Sequence, residues 1–152
     1  MKKHLDLIVL GCSALFSVVV LLMMLATGIK MTDTVVGTAT TWSVYDLMNF
    51  GDTTRVGIVL ALVFTILSLL AAIVLLCVKA FKVKCKFAWI VALIVALLAL
   101  VSGILFFCMK SLVGVNDSAL LKYSLGIGTV FCGIFSLLNA AALIYYGLKA
   151  KK

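Results

Sequence analysis

Few side chains in this sequence could take part in catalysis or bind a metal. The only histidine, His4, follows two lysines near the start, and the five cysteines form neither a C-x-x-C pair nor the cysteine–histidine spacing of a zinc site. No pair of carboxylates falls within an apolar stretch, where general acid–base chemistry would need one. No glycine loop of the phosphate-binding kind follows a strand-like run. The sequence therefore predicts no enzyme and no cofactor or metal site.

Asn139 is the most polar side chain near the middle of an apolar stretch. A carboxamide facing hydrocarbon is costly, so we expect it to point inward and to bond a neighbouring helix, a contact worth about 0.6–2 kcal/mol. Ser136 and Thr129 precede it in the same stretch and are predicted as further interhelical polar contacts. An alternative interpretation places these three side chains and Cys132 along an ion or substrate path.

Four long apolar runs must position these residues. The chain is 66% hydrophobic and 12% charged, with a mean hydropathy of +1.35, whereas soluble domains are about half apolar and about a quarter charged. The runs contain no charged residue and no proline, and they cover approximately residues 7–29, 56–78, 87–109 and 123–148. A helix of about 23 residues reaches about 35 Å, enough to cross the hydrocarbon core of a bilayer. We therefore predict one all-α integral membrane domain over residues 1–152, an antiparallel bundle of four transmembrane helices.

Small residues recur at helical spacing within these runs, which favours close contact between helices in lipid. They are Ala61, Thr65, Ser68 and Ala72 in the second run, Ala88, Ala92, Ala96, Ala99 and Gly103 in the third, and Gly126, Thr129, Gly133, Ser136 and Ala140 in the fourth. The first run has a poorer set, Gly11, Ala14 and Ser17. The pattern predicts a compact bundle.

The lysines predict the orientation of the chain. Nine cations lie in the two termini and in residues 79–86, whereas four lie in residues 30–55 and 110–122. The positive-inside rule then puts both termini and loop 79–86 in the cytoplasm and the other two loops on the exoplasmic side of the plasma membrane. The cytoplasmic loop is expected to contact anionic lipid through Lys79, Lys82, Lys84 and Lys86. Cys77 and Cys85 lie among these lysines, a context that permits acylation, and Asn116 begins a glycosylation sequon.

The first exoplasmic loop, residues 30–55, is the only sizeable segment outside the predicted membrane. We expect a short hairpin over Thr34–Thr40, followed by a short helix from Thr41, its predicted cap, to Gly51. The helical part carries five apolar side chains, which are predicted to lie on the membrane surface and seal the bundle, or to face a partner protein. They are Trp42, Tyr45, Leu47, Met48 and Phe50.

The layout of four spans, internal termini, a larger first outer loop and a short inner loop is similar to that of the claudin and PMP22-type tetraspans. The segment TWSVYDLMNF, residues 41–50, resembles the tryptophan-containing segment of their first loop. The paired loop cysteines of that family are absent here, and this loop is much shorter. The resemblance implies topology and carries no function.

Two hypotheses about function follow. The first is a non-enzymatic interaction protein, such as a scaffold, an accessory subunit or an immunity-type factor, that works through helix faces and the first loop. The second is an oligomeric channel or passive transport subunit. In both hypotheses the chain lies in the lipid bilayer and contacts either another membrane protein or further copies of itself. Nucleic acid is not expected, because the cations behind the net charge of +8 flank the apolar runs.

Overall fold

Four long helices dominate the structure, a computed structural model that describes residues 2–83 and 86–151. The protein is 69% helical. The long helices are α1 (Lys2–Met23), α2 (Val56–Ala80), α3 (Ala88–Phe107) and α5 (Ile127–Lys151); α4 (Met109–Val113) and a 3-10 helix (Asp46–Asp52) are short. Each long helix contains a span that is long enough and apolar enough to cross a membrane.

The long helices form a closed bundle in which α1 and α3 each pack against both α2 and α5. Neighbouring helices run antiparallel, since Asp6 near the start of α1 contacts residues at the ends of α2 and α5. One end of the bundle therefore holds the first and last residues of the described chain, and we name it the terminal end. The opposite end carries a small sheet, and we name it the sheet end.

The small residues predicted to mediate helix contact in the second, third and fourth runs are all buried, as predicted. In the first run Ser17 is buried, whereas Gly11 and Ala14 are only partly buried. Contact is closest between α3 and α5. A Cβ atom on Gly133 would lie 2.6 Å from the Phe107 ring, and one on Gly103 would lie 3.3 Å from the carbonyl oxygen of Gly133. Glycine at these positions lets the two backbones approach in the way that helix association in lipid requires.

A three-stranded antiparallel sheet caps the bundle in the order β2-β1-β3. Its strands are β1 (Thr27–Asp33), β2 (Ala39–Ser43) and β3 (Leu121–Leu125). Strands β1 and β2 come from the first connection between long helices, and β3 comes from the last. A buried cluster beneath the sheet, which includes Met24, Ile29 and Phe106, joins it to the helices. The predicted all-α fold is therefore correct for the bundle and omits this sheet.

The sheet corrects two predicted helix bounds. Helix α1 ends at Met23 rather than near residue 29, and α5 begins at Ile127 rather than near residue 123. Residues at both places are uncharged and apolar, so they extend the hydropathy run. They nevertheless pair as strands, with Ile29 opposite Leu125. Long-range pairing outweighs local helix preference here, as it often does in short apolar segments.

The first connection also differs in detail from the prediction. The hairpin turn falls within the predicted segment, where Gly37 adopts φ +72°, but its strands extend on either side. Thr41 lies in β2 and does not cap a helix. The 3-10 helix follows Ser43, whose hydroxyl accepts a bond from the N–H of Asp46 while the Asp46 carboxylate accepts from the N–H of Ser43. Hydrogen bonds from Ser43 hold the pKa of Asp46 below its usual value.

Candidate functional site

A buried hydrogen-bond network lies in the middle of the bundle and centres on Asn139. Its side-chain NH₂ donates to Ser17 Oγ at 2.9 Å and to Ser68 Oγ at 2.7 Å, while its carbonyl oxygen accepts from Ser13 Oγ. The Ser17 hydroxyl donates in turn to the carbonyl oxygen of Ser13 at 3.1 Å. All four residues are buried. Both amide hydrogens of Asn139 are used, so this side chain ties α5 to α1 and to α2.

The other two predicted polar contacts of α5 have different surroundings. Thr129 Oγ1 donates to the carbonyl oxygen of Gly28 at 2.6 Å, so it joins the start of α5 to β1 rather than to another helix. Ser136 is buried one turn before Asn139 and is not a member of its network. A further buried pair, Thr65 and Ser102, has its hydroxyl oxygens 3.1 Å apart and links α2 to α3.

The apolar residues predicted for the first outer loop pack against the bundle. Leu47 is fully buried and therefore cannot contact a partner or a membrane surface. Trp42, Tyr45, Met48 and Phe50 are partly buried against the cluster under the sheet. Trp42 and Phe50 meet edge to face at 5.3 Å between ring centroids. These side chains hold the sheet to the helices and leave only part of their surface accessible.

Strands β2 and β3 form the two edges of the sheet, and they differ in their exposure. Beside β3, the N–H of Leu121 donates to Ser118 Oγ and that of Tyr123 donates to Asp117 Oδ1. The loop before β3 thus occupies its outer edge. Asp117 also accepts from Lys110 Nζ at 2.7 Å. Beside β2, the Asp46 carboxylate accepts from the N–H of Ser43 at the end of the strand, and no described segment covers the rest of this edge.

The register of β1 and β2 shows which backbone N–H and C=O groups of β2 point away from β1. The N–H of Asp33 donates to the carbonyl oxygen of Thr38, and pairing continues through Met31 with Thr40. Because paired residues alternate in an antiparallel ladder, the backbone groups of Ala39 and Thr41 point away from β1. Both residues are exposed and uncharged.

Three apolar side chains are exposed at the tip of the sheet, two in the turn between β1 and β2 and one just before β3. Val35, Val36 and Leu120 are 73%, 70% and 59% exposed at the tip of the sheet. Thr34 Oγ1 joins their two segments through the carbonyl oxygen of Leu120 at 3.0 Å. An uncharged edge strand next to an apolar tip can accept an extended segment of another chain.

A cluster of ion pairs lies at the terminal end. Asp6 of α1 contacts Lys79 Nζ of α2 at 2.9 Å and Lys149 Nζ of α5 at 2.6 Å. Lys79 and Lys149 also lie about 6 Å above the rings of Tyr146 and Tyr145. One carboxylate therefore holds three helices together. Sequence reasoning missed this cluster, although Asp6 is the one acidic residue on the lysine-rich side of the predicted topology.

The remaining predicted lipid-contact residues are dispersed. Lys82 and Lys86 are exposed, whereas Lys79 is engaged by Asp6 and Lys84 lies outside the described residues. Cys77 is exposed, and Cys85 also falls outside the described part of the chain. Within residues 2–83 and 86–151, no three histidine, cysteine or acidic side chains converge as a metal site would need.

Comparison with known proteins gives no match to a protein-family model, to a curated protein or to a solved structure.

Proposed function

We propose that this chain is an integral membrane protein with cytoplasmic termini that acts by binding another membrane protein or a second copy of itself. In this proposal the sheet lies on the exoplasmic side and forms the recognition surface, and no chemical reaction is assigned to the chain. The four apolar helices and the excess of lysine at the terminal end support this placement.

The open edge of β2 carries the proposal. Exposed sheet edges are normally protected by charge, by proline or by a covering segment, because they otherwise pair with other chains. The β3 edge has such protection from residues 117–118. In the β2 edge, the N–H of Ser43 is occupied by the Asp46 carboxylate, but Ala39 and Thr41 have none of these devices among the described residues. An open edge strand, in a sheet whose opposite edge is protected, is the expected form of a β-augmentation site.

Replacing Thr41 with proline tests the proposal. Proline removes the outward N–H of this edge residue and leaves the inward ladder intact, which edge strands tolerate. Thr41→Val is the matched control, because it changes the side chain and keeps the N–H. We expect chemical cross-linking in native membranes, read by intact mass, to give a complex with wild type and Thr41→Val and none with Thr41→Pro. The added mass distinguishes a second copy from another protein.

Two results would contradict this function. A complex that forms equally well with Thr41→Pro would exclude the β2 edge as the binding surface. The absence of any cross-linked complex in the native membrane, for wild type and both variants alike, would exclude action by protein contact.

The second candidate function, an oligomeric channel or passive transport subunit, is supported by the polar residues inside the bundle. Eight buried serine, threonine and asparagine residues lie there or at its sheet end. Asn139 is the discriminating residue, because a path would need its amide for the permeating species while packing would need it only for Ser13, Ser17 and Ser68. Loss of flux in reconstituted Asn139→Leu at unchanged stability would favour the channel.

A further inference from the structure

An open cavity of about 490 Å³ lies at the terminal end, between the start of α1 and the end of α2. His4 and Leu7, one turn apart on α1, form one wall. The other wall consists of the last residues of α2 and the loop after it. The lining is His4, Leu7, Lys79, Ala80, Lys82 and Val83. Two lysines and a histidine thus surround a space whose remaining walls are apolar.

The backbone that presents Lys82 has an unusual conformation. Helix α2 ends in a Schellman motif, in which the N–H of Val83 donates to the carbonyl oxygen of Val78 and the N–H of Lys82 to that of Lys79. The left-handed position of this motif normally holds glycine, but here it holds Lys82 at φ +55°. A residue with a Cβ is strained at this φ. Strain that a chain retains at a cavity wall suggests that the side chain has a role there.

The charge around the cavity is not balanced by the protein. Among the described residues, Asp6 is the only acidic side chain at this end, and it is shared between Lys79 and Lys149. Lys82 is exposed, and none of the ion pairs formed by the described residues includes it. The cavity therefore has an excess of hydrogen-bond donors and positive charge. A phosphate group, with several acceptor oxygens, complements such a lining.

The position of the cavity selects a lipid as the source of the phosphate. It lies at the end of α1 and α2, both apolar enough to span a membrane, and therefore at the depth where headgroups would lie. Large apolar side chains of the same two segments are exposed: Val83 of the lining, and Ile8 and Phe81, which follow the lining residues Leu7 and Ala80 in the chain. A lipid whose phosphate enters the cavity would find apolar surface for its acyl chains along the same helices.

We infer that this cavity binds the phosphate of an anionic phospholipid headgroup, with Lys82, Lys79 and His4 as the contacting residues. This inference rests on the membrane location given under the proposed function. It is independent of the β2 edge at the opposite end. Incorporation of the protein into lipid nanodiscs tests the location separately from any preference for a headgroup.

The experiment compares phosphatidylglycerol with phosphatidylcholine as ligands of the full-length protein, using native mass spectrometry of protein released from nanodiscs. Wild type is expected to retain phosphatidylglycerol at least about fivefold more strongly, the gain of about one lysine–headgroup contact. Lys82→Gly should reduce this preference about fivefold and should also raise the melting temperature, because glycine relieves the left-handed strain. Lys86→Gly, the matched control, loses the same charge from the loop but outside the cavity, and it should reduce the preference clearly less than Lys82→Gly does.

Each other outcome overturns the inference. Equal retention of the two lipids by wild type would show that the cavity does not select an anionic headgroup. An equal loss of preference in Lys82→Gly and Lys86→Gly would show that general surface charge, and not the cavity, attracts the lipid. A lower melting temperature in Lys82→Gly would show that the lysine is needed for folding and not kept for binding. Displacement of the lipid by inorganic phosphate alone, with no preference between acyl-chain lengths, would identify a soluble phosphate as the ligand.

Discussion

Asn139 uses a single amide to hold hydroxyl groups from two other helices, and this bonding accounts for its burial. Its inward position was predictable from the cost of a carboxamide in hydrocarbon. Its partners were only partly predictable. Ser17 and Ser68 belong to small-residue sets visible in the sequence, but Ser13 does not. Helical spacing shows which residues share a face, whereas the rotation of each helix about its axis, which decides the pairing, depends on the assembled bundle.

Replacing Asn139 with leucine should lower the free energy of unfolding by about 1–2 kcal/mol, because Ser13 and Ser68 lose a buried hydrogen-bond partner. Equilibrium unfolding in mixed detergent micelles measures the change. Ser136→Ala, which removes a buried hydroxyl of the same helix outside the network, should cost less. The double substitution Asn139→Leu with Ser68→Ala should cost less than the sum of the single ones, since both remove the same bond. Strict additivity would show that the network is not coupled.

Asp117 provides the pH-dependent contact of the sheet. The hydrogen bond from Lys110 and the N–H of Tyr123 hold the pKa of its carboxyl below the usual value. Because the folded pKa is depressed, this contribution is complete above the ordinary carboxyl pKa of about 3.9 and is lost as the pH falls through the folded pKa.

We therefore expect the amide of Tyr123 to lose protection against hydrogen exchange in acid, after correction for intrinsic rates. In Asp117→Asn the same amide should exchange faster at neutral pH and show little further change on acidification. Equal protection of wild type and Asp117→Asn at neutral pH would argue against this contact.

At the scale of single elements, glycine positions set how closely the helices approach. A Cβ on Gly128 of α5 would lie 2.7 Å from the carbonyl oxygen of Met23, where α1 ends. The backbone cannot yield as a flexible side chain would. Gly11 of α1 is the contrasting case, since its nearest neighbour would be 3.9 Å away.

Gly128→Ala should therefore destabilise the protein by about 1–3 kcal/mol, the usual cost of overpacking. Gly11→Ala should be neutral or slightly stabilising, because alanine favours the helix. Thermal unfolding in detergent, followed by circular dichroism, compares the two variants. Similar melting temperatures for both would mean that α1 and α5 can separate without loss, contrary to the packing described above.

The buried face of the helices was the feature best predicted from the sequence, since the three sets of small residues in the second, third and fourth runs are buried as expected. The strands were less accessible. Residues 24–29 and 123–125 have the uncharged apolar character of a membrane span, and hydropathy assigns them to the adjoining helices. Their true state depends on pairing Ile29 with Leu125, far along the chain. No local pattern encodes a partner at that distance.

For the whole molecule, the distribution of lysine predicts the orientation in the membrane. A green fluorescent protein fused after Lys152 should fluoresce, because the C-terminus is expected in the cytoplasm, where that reporter folds. Alkaline phosphatase fused at the same place should be inactive. The same phosphatase inserted at Gly37, in the exposed turn of the sheet, should be active. The reverse pattern of reporter activity would mean that the topology is the opposite of the predicted one, with the sheet in the cytoplasm.

Because β1 lies between β2 and β3, the sheet cannot be completed until the last part of the chain has been synthesised. Strands β1 and β2 leave the ribosome before α2, whereas β3 follows α3 and α4. Until β3 is made, both outer edges of the nascent hairpin are bare. Residues 121–129 are synthesised last of these segments. They pair β3 with the free edge of β1, and the N–H of Gly126 and the hydroxyl of Thr129 then donate to the carbonyl oxygen of Gly28. A chain interrupted before residue 121 would therefore expose the edge of β1 that β3 covers in the complete protein, and an uncovered edge of this kind can pair with other chains.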